Sequence, residues 1–204
     1  LFSLASDFSD NLTIDLEKLS NYQDILNKIR SIGILARQNG VTLSVYPDST
    51  NSLMSSDDDV VKRTIKELNF HSWFFDTAGF PSNAANPIII TPNFEPSSAT
   101  HSEAVKSIQF FYKNFKLLNE ETQNRIVIQN EEEGYWNAVN LFKYFHVYLN
   151  EKYDDGMILS YYNVADKRNP SNLGGESLVE EVVNIGAFHE TWMGVVPIFL
   201  WSEK

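Results

Sequence analysis

The sequence predicts an α/β protein built on a parallel β-sheet, because short apolar runs alternate with segments of helical periodicity. The apolar runs carry hydrophobic residues on both faces, as strands do when helices cover the sheet on each side. The regular alternation of strand and helix is that of βαβ units. No linker, low-complexity tract or internal repeat interrupts it. We therefore expect one domain over residues 1–204.

Each predicted element has its own sequence signal. Residues 15–38 show helical spacing that ends at Gly40, and three successive acids (57–59) begin a second helix, where they suit the helix dipole. The predicted strands are 41–46, 87–91, 125–129, 157–161 and 195–201, and the later helices are 102–118, 135–149 and 177–187. The first residues, 1–4, look like part of an element already under way. With only about five strands, either the sheet is open or the chain is part of a longer one.

Composition limits the classes of function. The 27 acidic and 16 basic residues give a net charge of −11, and the tightest basic pairs are Lys62-Arg63 and Lys167-Arg168. Because a phosphate backbone is bound by neutralising its charges, this balance disfavours DNA as a partner. The chain has no cysteine, which excludes disulfides, thiolate metal sites and cysteine nucleophiles.

No apolar stretch is long enough for a transmembrane helix, and residues 1–11 lack the pattern of a signal peptide. We therefore expect an intracellular, soluble protein, or one that forms part of a particle, without a membrane partner.

The carboxyl ends of the strands are where chemistry is expected, because ligands bind there in both open α/β sheets and barrels. The segments at these ends are Tyr46-Pro47-Asp48, Thr91-Pro92-Asn93, Gln129-Asn130-Glu131, Ser160-Tyr161-Tyr162-Asn163 and Leu200-Trp201-Ser202.

Several segments, taken in order, carry a resemblance. Leu1-Phe2-Ser3-Leu4-Ala5-Ser6 is similar to a Leu-Phe-Pro-Leu-Ala-Ser segment that follows a second strand. Arg125–Glu131 is similar to a strand ending in Glu-Asn-Asp, and Val196–Ser202 to a Pro-Lys-x-His-x-Ser strand preceded by Thr-Trp, here Thr191-Trp192. Segments 34–44, 60–71 and 111–118 add to the series. Together they resemble the UV-damage endonuclease family, related to the endonuclease IV barrels, which implies a TIM (β/α)8 barrel that is incomplete here.

The resemblance also implies a three-metal site of His, Asp and Glu that cuts DNA beside a lesion. At the corresponding positions this chain has Tyr46 for a histidine, Thr91 for a histidine and Gln129 for a glutamate. Asp48-Ser49 stands for a lesion-probing Gly-Gln turn, Ser160 and Asn163 for an aspartate and a histidine, and Ile198 and Leu200 for a lysine and a histidine. Only His71 keeps its type. Neutral hydroxyls, amides and apolar side chains are poor ligands for divalent ions, so we expect no catalytic residue and no metal, with His71 and Glu131 as weak candidates.

Three functions remain open. The first is a catalytically degenerate barrel, a pseudoenzyme without cofactor that binds a protein partner within an assembly. The second is an active, divergent DNA repair endonuclease that uses His71 and Glu131 with Mn, Mg or Zn. The third is a metal-free barrel that binds a small ligand between aromatic side chains at its mouth. The candidate aromatic residues there are Tyr46, Tyr161, Tyr162 and Trp201.

The remaining histidines are interpreted as structural. His101 and His146 have no acidic neighbour at a useful spacing, and His189-Glu190 is more typical of a helix end than of an acid/base pair.

Overall fold

A five-stranded sheet forms the centre of the protein in this computed structural model, which describes residues 2–5, 16–92, 100–129, 135–153 and 160–162. All neighbouring strands run parallel. The strands are β1 (Phe2–Ala5), β2 (Leu43–Tyr46), β3 (Ile88–Ile90), β4 (Ile126–Gln129) and β5 (Ser160–Tyr162).

The order of the strands in the sheet is β1-β2-β3-β4-β5, so each lies beside the next strand in the chain. A doubly wound sheet would instead reverse its order at a switch point. Sequential parallel neighbours joined by helices are the arrangement of a TIM barrel. The described strands form part of such a barrel, which confirms the predicted fold class.

Helices connect the strands. They are α1 (Tyr22–Gln38), α2 (Asp58–Ala78), α3 (His101–Phe115), the short α4 (Glu120–Gln123), α5 (Ala138–Leu141) and α6 (Leu149–Lys152), with a π-helix at Phe142–Tyr148 between the last two and a 3-10 turn at Leu16–Lys18. Among the described residues, no helix combines the length and the hydropathy needed to cross a lipid bilayer.

The strands differ from the prediction at both ends of the series. Three predicted strands are confirmed within two residues at each end. The strand predicted at 157–161 is observed at Ser160–Tyr162. Residues 2–5, predicted as a segment that follows a strand, form β1 and pair with β2 in parallel. The predicted strand 195–201 and helix 177–187 lie outside the described residues.

Two helices begin later than predicted, and local hydrogen bonds explain why. The turn at Leu19, whose carbonyl accepts the Tyr22 N–H at 3.0 Å, separates α1 from the 3-10 turn before it. The helix predicted over 135–149 starts after Asn137, whose side-chain oxygen accepts the Asn140 N–H at 3.0 Å. Asn137 therefore satisfies an N–H that the first turn would leave open.

A buried arginine joins β4 to the end of α2. Arg125 precedes β4 and is fully buried. Its guanidinium donates to the Asp76 carboxylate at 2.5 Å, to the Pro81 carbonyl at 2.7 Å and to the Phe80 carbonyl at 3.0 Å. These groups lie at the amino-terminal edge of the sheet, opposite the strand ends where a barrel carries its site. The cluster stabilises the structure away from that site.

Helices α1 and α2 approach each other closely at Gly33. A Cβ atom at this position would lie 1.8 Å from the carbonyl oxygen of Ala78, the last residue of α2. Arg37, one turn further along α1, donates to that carbonyl at 2.8 Å and to the Gly79 carbonyl at 2.9 Å. Gly79 ends α2 in the left-handed conformation, with φ of 78°. This contact aligns the first two helices on the outside of the sheet.

Candidate functional site

Two of the predicted site residues contact each other at the carboxyl edge of the sheet. Tyr46 ends β2 and Gln129 ends β4. The Tyr46 hydroxyl donates to the Gln129 side-chain oxygen over 3.2 Å, although the residues are 83 positions apart. Both side chains are half-buried. The pair is neutral, and its hydrogen bond occupies an oxygen that could otherwise bind a cation or a ligand.

Thr91 and Ser160 occupy different positions relative to this pair. Thr91 directly follows β3 and is exposed. Ser160 begins β5 and pairs with Val127, whereas Tyr162 pairs with Gln129. The last residue of β5 is therefore Tyr162. The predicted site position Ser160 lies two residues before this strand end. For β5 the structure describes the backbone alone.

His71 lies on the buried face of α2, with an exposed fraction of 6%. Its Nε2 atom is 3.6 Å from a carboxylate oxygen of Glu67, one turn earlier in the helix, and Glu67 is fully buried. The same Glu67 oxygen accepts the backbone N–H of Asp48 at 3.0 Å. Glu67 thus links His71 to the loop that follows β2.

Glu67 was missed by the sequence analysis. Helical periodicity assigns charged residues to the exposed face, so a buried glutamate has no periodic signal. The one available hint is its position next to the apolar stripe of α2, at Leu68 and Val61.

The loop after β2 is fixed by several hydrogen bonds to its surroundings. The side chain of Asn114, on α3, donates to the Leu53 carbonyl at 2.9 Å. The Ser52 N–H donates to the Thr64 hydroxyl at 3.0 Å. Residues 53 and 54 are buried. Residues 52–54 of this loop are therefore held against α2 and α3, whereas Ser49, in the pair that the resemblance aligns with a lesion-probing turn, is exposed.

Asp48 lies near the start of this loop. Hydrogen bonds from the Thr50 side chain and then from its backbone N–H, which is 2.7 Å from the carboxylate, hold the pKa of Asp48 below its usual range. The carboxylate therefore stays ionised and acts as a turn-forming acceptor.

A second polar cluster lies on the α3 side, where three side chains form a hydrogen-bonded chain. Tyr135 donates to the Tyr144 hydroxyl over 2.9 Å, and that hydroxyl lies 3.2 Å from Nδ1 of His101. Burial and then the Tyr144 hydroxyl raise the pKa of Tyr135. The sequence interpretation of His101 as structural agrees with this packing against the π-helix.

The described residues contain no group of three or more His, Cys, Asp or Glu side chains that could hold a metal ion. The space beside Thr91 is apolar instead. Its lining consists of Leu53, Met54, Ile90, Thr91, Pro92, Phe111, Ile128 and Phe145. This pocket offers a metal no charged ligand.

Several predicted positions lie outside the described residues. They are the weak metal candidate Glu131, the positions Asn163, Ile198 and Leu200, and the aromatic candidate Trp201.

Comparison with known proteins identifies the family. The sequence model of the family described as UV-endonuclease UvdE matches residues 2–192. The UV DNA damage endonuclease of Clostridium perfringens is 23% identical over 135 residues, which cover 66% of this chain and 31% of that protein. The crystal structure of SacUVDE superposes with a TM-score of 0.58 at 19% identity, covering 83% of this chain and 51% of that one.

These matches assign the protein to the class of UV-endonuclease-like barrels. The chain belongs to the UV-endonuclease UvdE family. It spans about a third of the length of the curated relative and about half of the solved structure.

The Tyr46–Gln129 contact can be tested by removing one hydroxyl. We expect Tyr46→Phe to lower the free energy of unfolding by about 0.5–1.5 kcal/mol, because the acceptor on Gln129 loses its donor. Urea unfolding followed by circular dichroism measures the change. Tyr22→Phe is the matched control, since no hydrogen bond of the Tyr22 hydroxyl is present among the described residues. Equal losses in the two variants would show that the contact contributes nothing.

Proposed function

We propose that this chain is a catalytically inactive member of its family, whose barrel serves as a scaffold for a protein partner. The observation that carries the proposal is the hydrogen bond from the Tyr46 hydroxyl to the Gln129 side-chain oxygen. The family resemblance implies a histidine and a glutamate ligand at these two positions. Their replacements bind each other and leave no anionic group for a divalent cation.

The chemistry of the three described positions supports this view. A protonated tyrosine, a threonine and a glutamine are neutral, whereas a cluster of divalent ions needs carboxylates and imidazoles to offset its charge. His71 does not compensate, since the carboxylate 3.6 Å from its Nε2 is that of Glu67 alone, and the described residues bring no third ligand-type side chain to this pair. These residues do not fit the metals that the resemblance implies.

The net charge of −11 is weaker evidence against DNA binding than the sequence alone suggests. The described residues hold 12 of the 27 acidic residues but 13 of the 16 lysines and arginines. The part of the chain that forms the sheet and its helices is therefore close to neutral. The case against a nuclease rests on the ligands and not on repulsion of DNA.

Family membership favours the alternative, a metal-dependent endonuclease acting on UV-damaged or abasic DNA. Such an enzyme would take its ligands from His71, from Glu131 and from residues beyond the described ones. Manganese, magnesium or zinc would supply the Lewis acid that activates a water in it.

Metal binding separates the two proposals. We expect the purified chain to hold well under one equivalent of Mn, Mg or Zn by elemental analysis, and not to nick UV-irradiated plasmid in added manganese. The triple variant Tyr46→His, Thr91→His, Gln129→Glu restores the ligand types that the resemblance implies, and should gain manganese affinity by about tenfold or more in calorimetry.

The control carries the same three changes at distant positions: Tyr22→His, Thr42→His and Gln38→Glu. It should bind no more manganese than the unmodified chain. Two or more equivalents of metal in the unmodified chain, or cleavage of the damaged plasmid, would refute the scaffold proposal and support the nuclease.

A further inference from the structure

The exposed face of α3 is basic. Lys106 and Lys113 are seven residues apart and therefore lie on the same face of the helix. Lys116 and Leu117 continue this face just beyond the end of the helix, and Leu117 is 57% exposed. The only acid of α3, Glu103, lies in its first turn.

Helix α6 extends this face through tyrosines. Tyr112 of α3 stacks on Tyr153, which follows α6, with ring centroids 3.7 Å apart and an angle of 7° between the rings. The ammonium group of Lys152 lies 5.7 Å above the ring of Tyr148. The Tyr148 hydroxyl accepts a hydrogen bond from Gln109 at 3.1 Å, which joins the π-helix to α3.

Two of the lysines on this face are positioned by tyrosine rings. Cation–π contact holds Lys152, and also Lys116, whose ammonium group is 5.6 Å from the ring of Tyr112. Ammonium groups that are already positioned lose less side-chain entropy when an anion binds. The surface therefore favours an anionic ligand that contacts several lysines at once.

We propose that this face, formed by Lys106, Lys113, Lys116, Leu117 and Lys152, binds an acidic segment of a protein partner that carries an apolar side chain. The inference deepens the proposed scaffold function and rests on it. The lysines bind the carboxylates of the segment, and Leu117 packs against its apolar residue. The surface lies on the outside of the helices and not at the strand ends.

The structure favours a peptide over a nucleic acid because the tyrosine rings are already covered. Binding of single strands depends on aromatic faces on which bases stack. Here Tyr112 is covered by Tyr153 and Lys116, and Lys152 lies over Tyr148. An exposed leucine beside lysines offers a nucleic acid no contact that it needs, whereas it suits an apolar side chain of a peptide.

The test uses the full chain and three fluorescein-labelled peptides of twelve residues. One contains eight glutamates and two leucines, the second has glutamine for glutamate, and the third has alanine for leucine. We expect fluorescence anisotropy to show binding of the first peptide, with at least about tenfold weaker binding of the other two. The variant Lys106→Glu, Lys113→Glu should weaken binding of the first peptide by about tenfold or more, and Leu117→Ala by about threefold or more.

The matched control is Lys28→Glu, Lys66→Glu, which makes the same change of charge on exposed positions of α1 and α2. It should leave binding within about twofold. Equal losses in both double variants would mean non-specific attraction and would overturn the inference. So would tighter binding of a twelve-nucleotide single-stranded DNA that depends on Lys106 and Lys113, or no binding of any probe. None of these variants changes a residue at the carboxyl edge of the sheet, so we expect their metal content to equal that of the unmodified chain, and the metal measurement judges the scaffold proposal separately.

Discussion

Replacing Arg125 with methionine is expected to lower the free energy of unfolding by about 3–4 kcal/mol. The guanidinium is fully buried and donates to two backbone carbonyls, those of Phe80 and Pro81, besides the Asp76 carboxylate. Methionine fills much of the same volume but donates no hydrogen bond. The Phe80 carbonyl then loses its guanidinium donor, and the Pro81 carbonyl keeps only the N–H of Asn83, at 3.0 Å. Asp76, which is partly exposed, can be hydrated. Urea unfolding followed by far-UV circular dichroism measures the loss.

Two further variants show whether the buried guanidinium causes this loss. Lys113→Met removes an exposed cation in the same way and should change stability by no more than about 0.5 kcal/mol. Arg125→Lys keeps the charge but not the planar guanidinium that donates to five acceptors, including the hydroxyls of Ser72 and Ser82, and we expect it to recover only part of the loss. A decrease below about 1 kcal/mol for Arg125→Met would show that the cluster is not a main support of the fold.

Gly33→Ala is expected to destabilise the protein by about 2–4 kcal/mol, although glycine-to-alanine changes inside helices ordinarily stabilise by up to about 1 kcal/mol. The reversed sign follows from the 1.8 Å distance between the new Cβ and the Ala78 carbonyl oxygen. The two helices must separate, which also breaks the hydrogen bond from Arg37 to that carbonyl. Thermal and urea unfolding provide the measurement.

The matched control is Gly40→Ala. Gly40 has φ of 62°, and apart from Gly40 itself and its two chain neighbours no atom lies within 4 Å of the position its Cβ would occupy. Only the left-handed backbone opposes that change, at a cost of about 1 kcal/mol. If the Gly33→Ala variant were as stable as the unmodified chain, α1 and α2 could not approach each other as closely at Gly33 as described.

The fold was predictable because its signals are local. Apolar runs such as 88–90 and 126–129 are short, continuous and bounded by turns, so their type and order follow from the sequence. Strand β1 was not assigned as a strand, because the resemblance indicated a segment that follows one. The late start of α5 depends on a single cap at Asn137. Boundaries of this kind are set by individual hydrogen bonds, which periodicity does not detect.

The candidate site was predictable in place but not in its contacts. Parallel strands end at the same edge of a sheet, and this rule made Tyr46 and Gln129 candidates for one site. Nothing in the sequence indicated that they would bind each other across 83 positions. The buried Glu67 was missed for the opposite reason, since burial of a charge follows from tertiary packing alone. The charge of the whole chain was also too coarse a measure, because most of the excess acid lies outside the described residues.

The order of the strands has a consequence for how the protein is made. Because each strand from β2 to β5 pairs with the strand that precedes it in the chain, each of these strands meets a partner that has already left the ribosome. The sheet can therefore grow one strand and one helix at a time during translation, with loop closure spanning a single connection at each step. Such growth keeps contact order low for a parallel sheet and shortens the time for which an unpaired edge could aggregate.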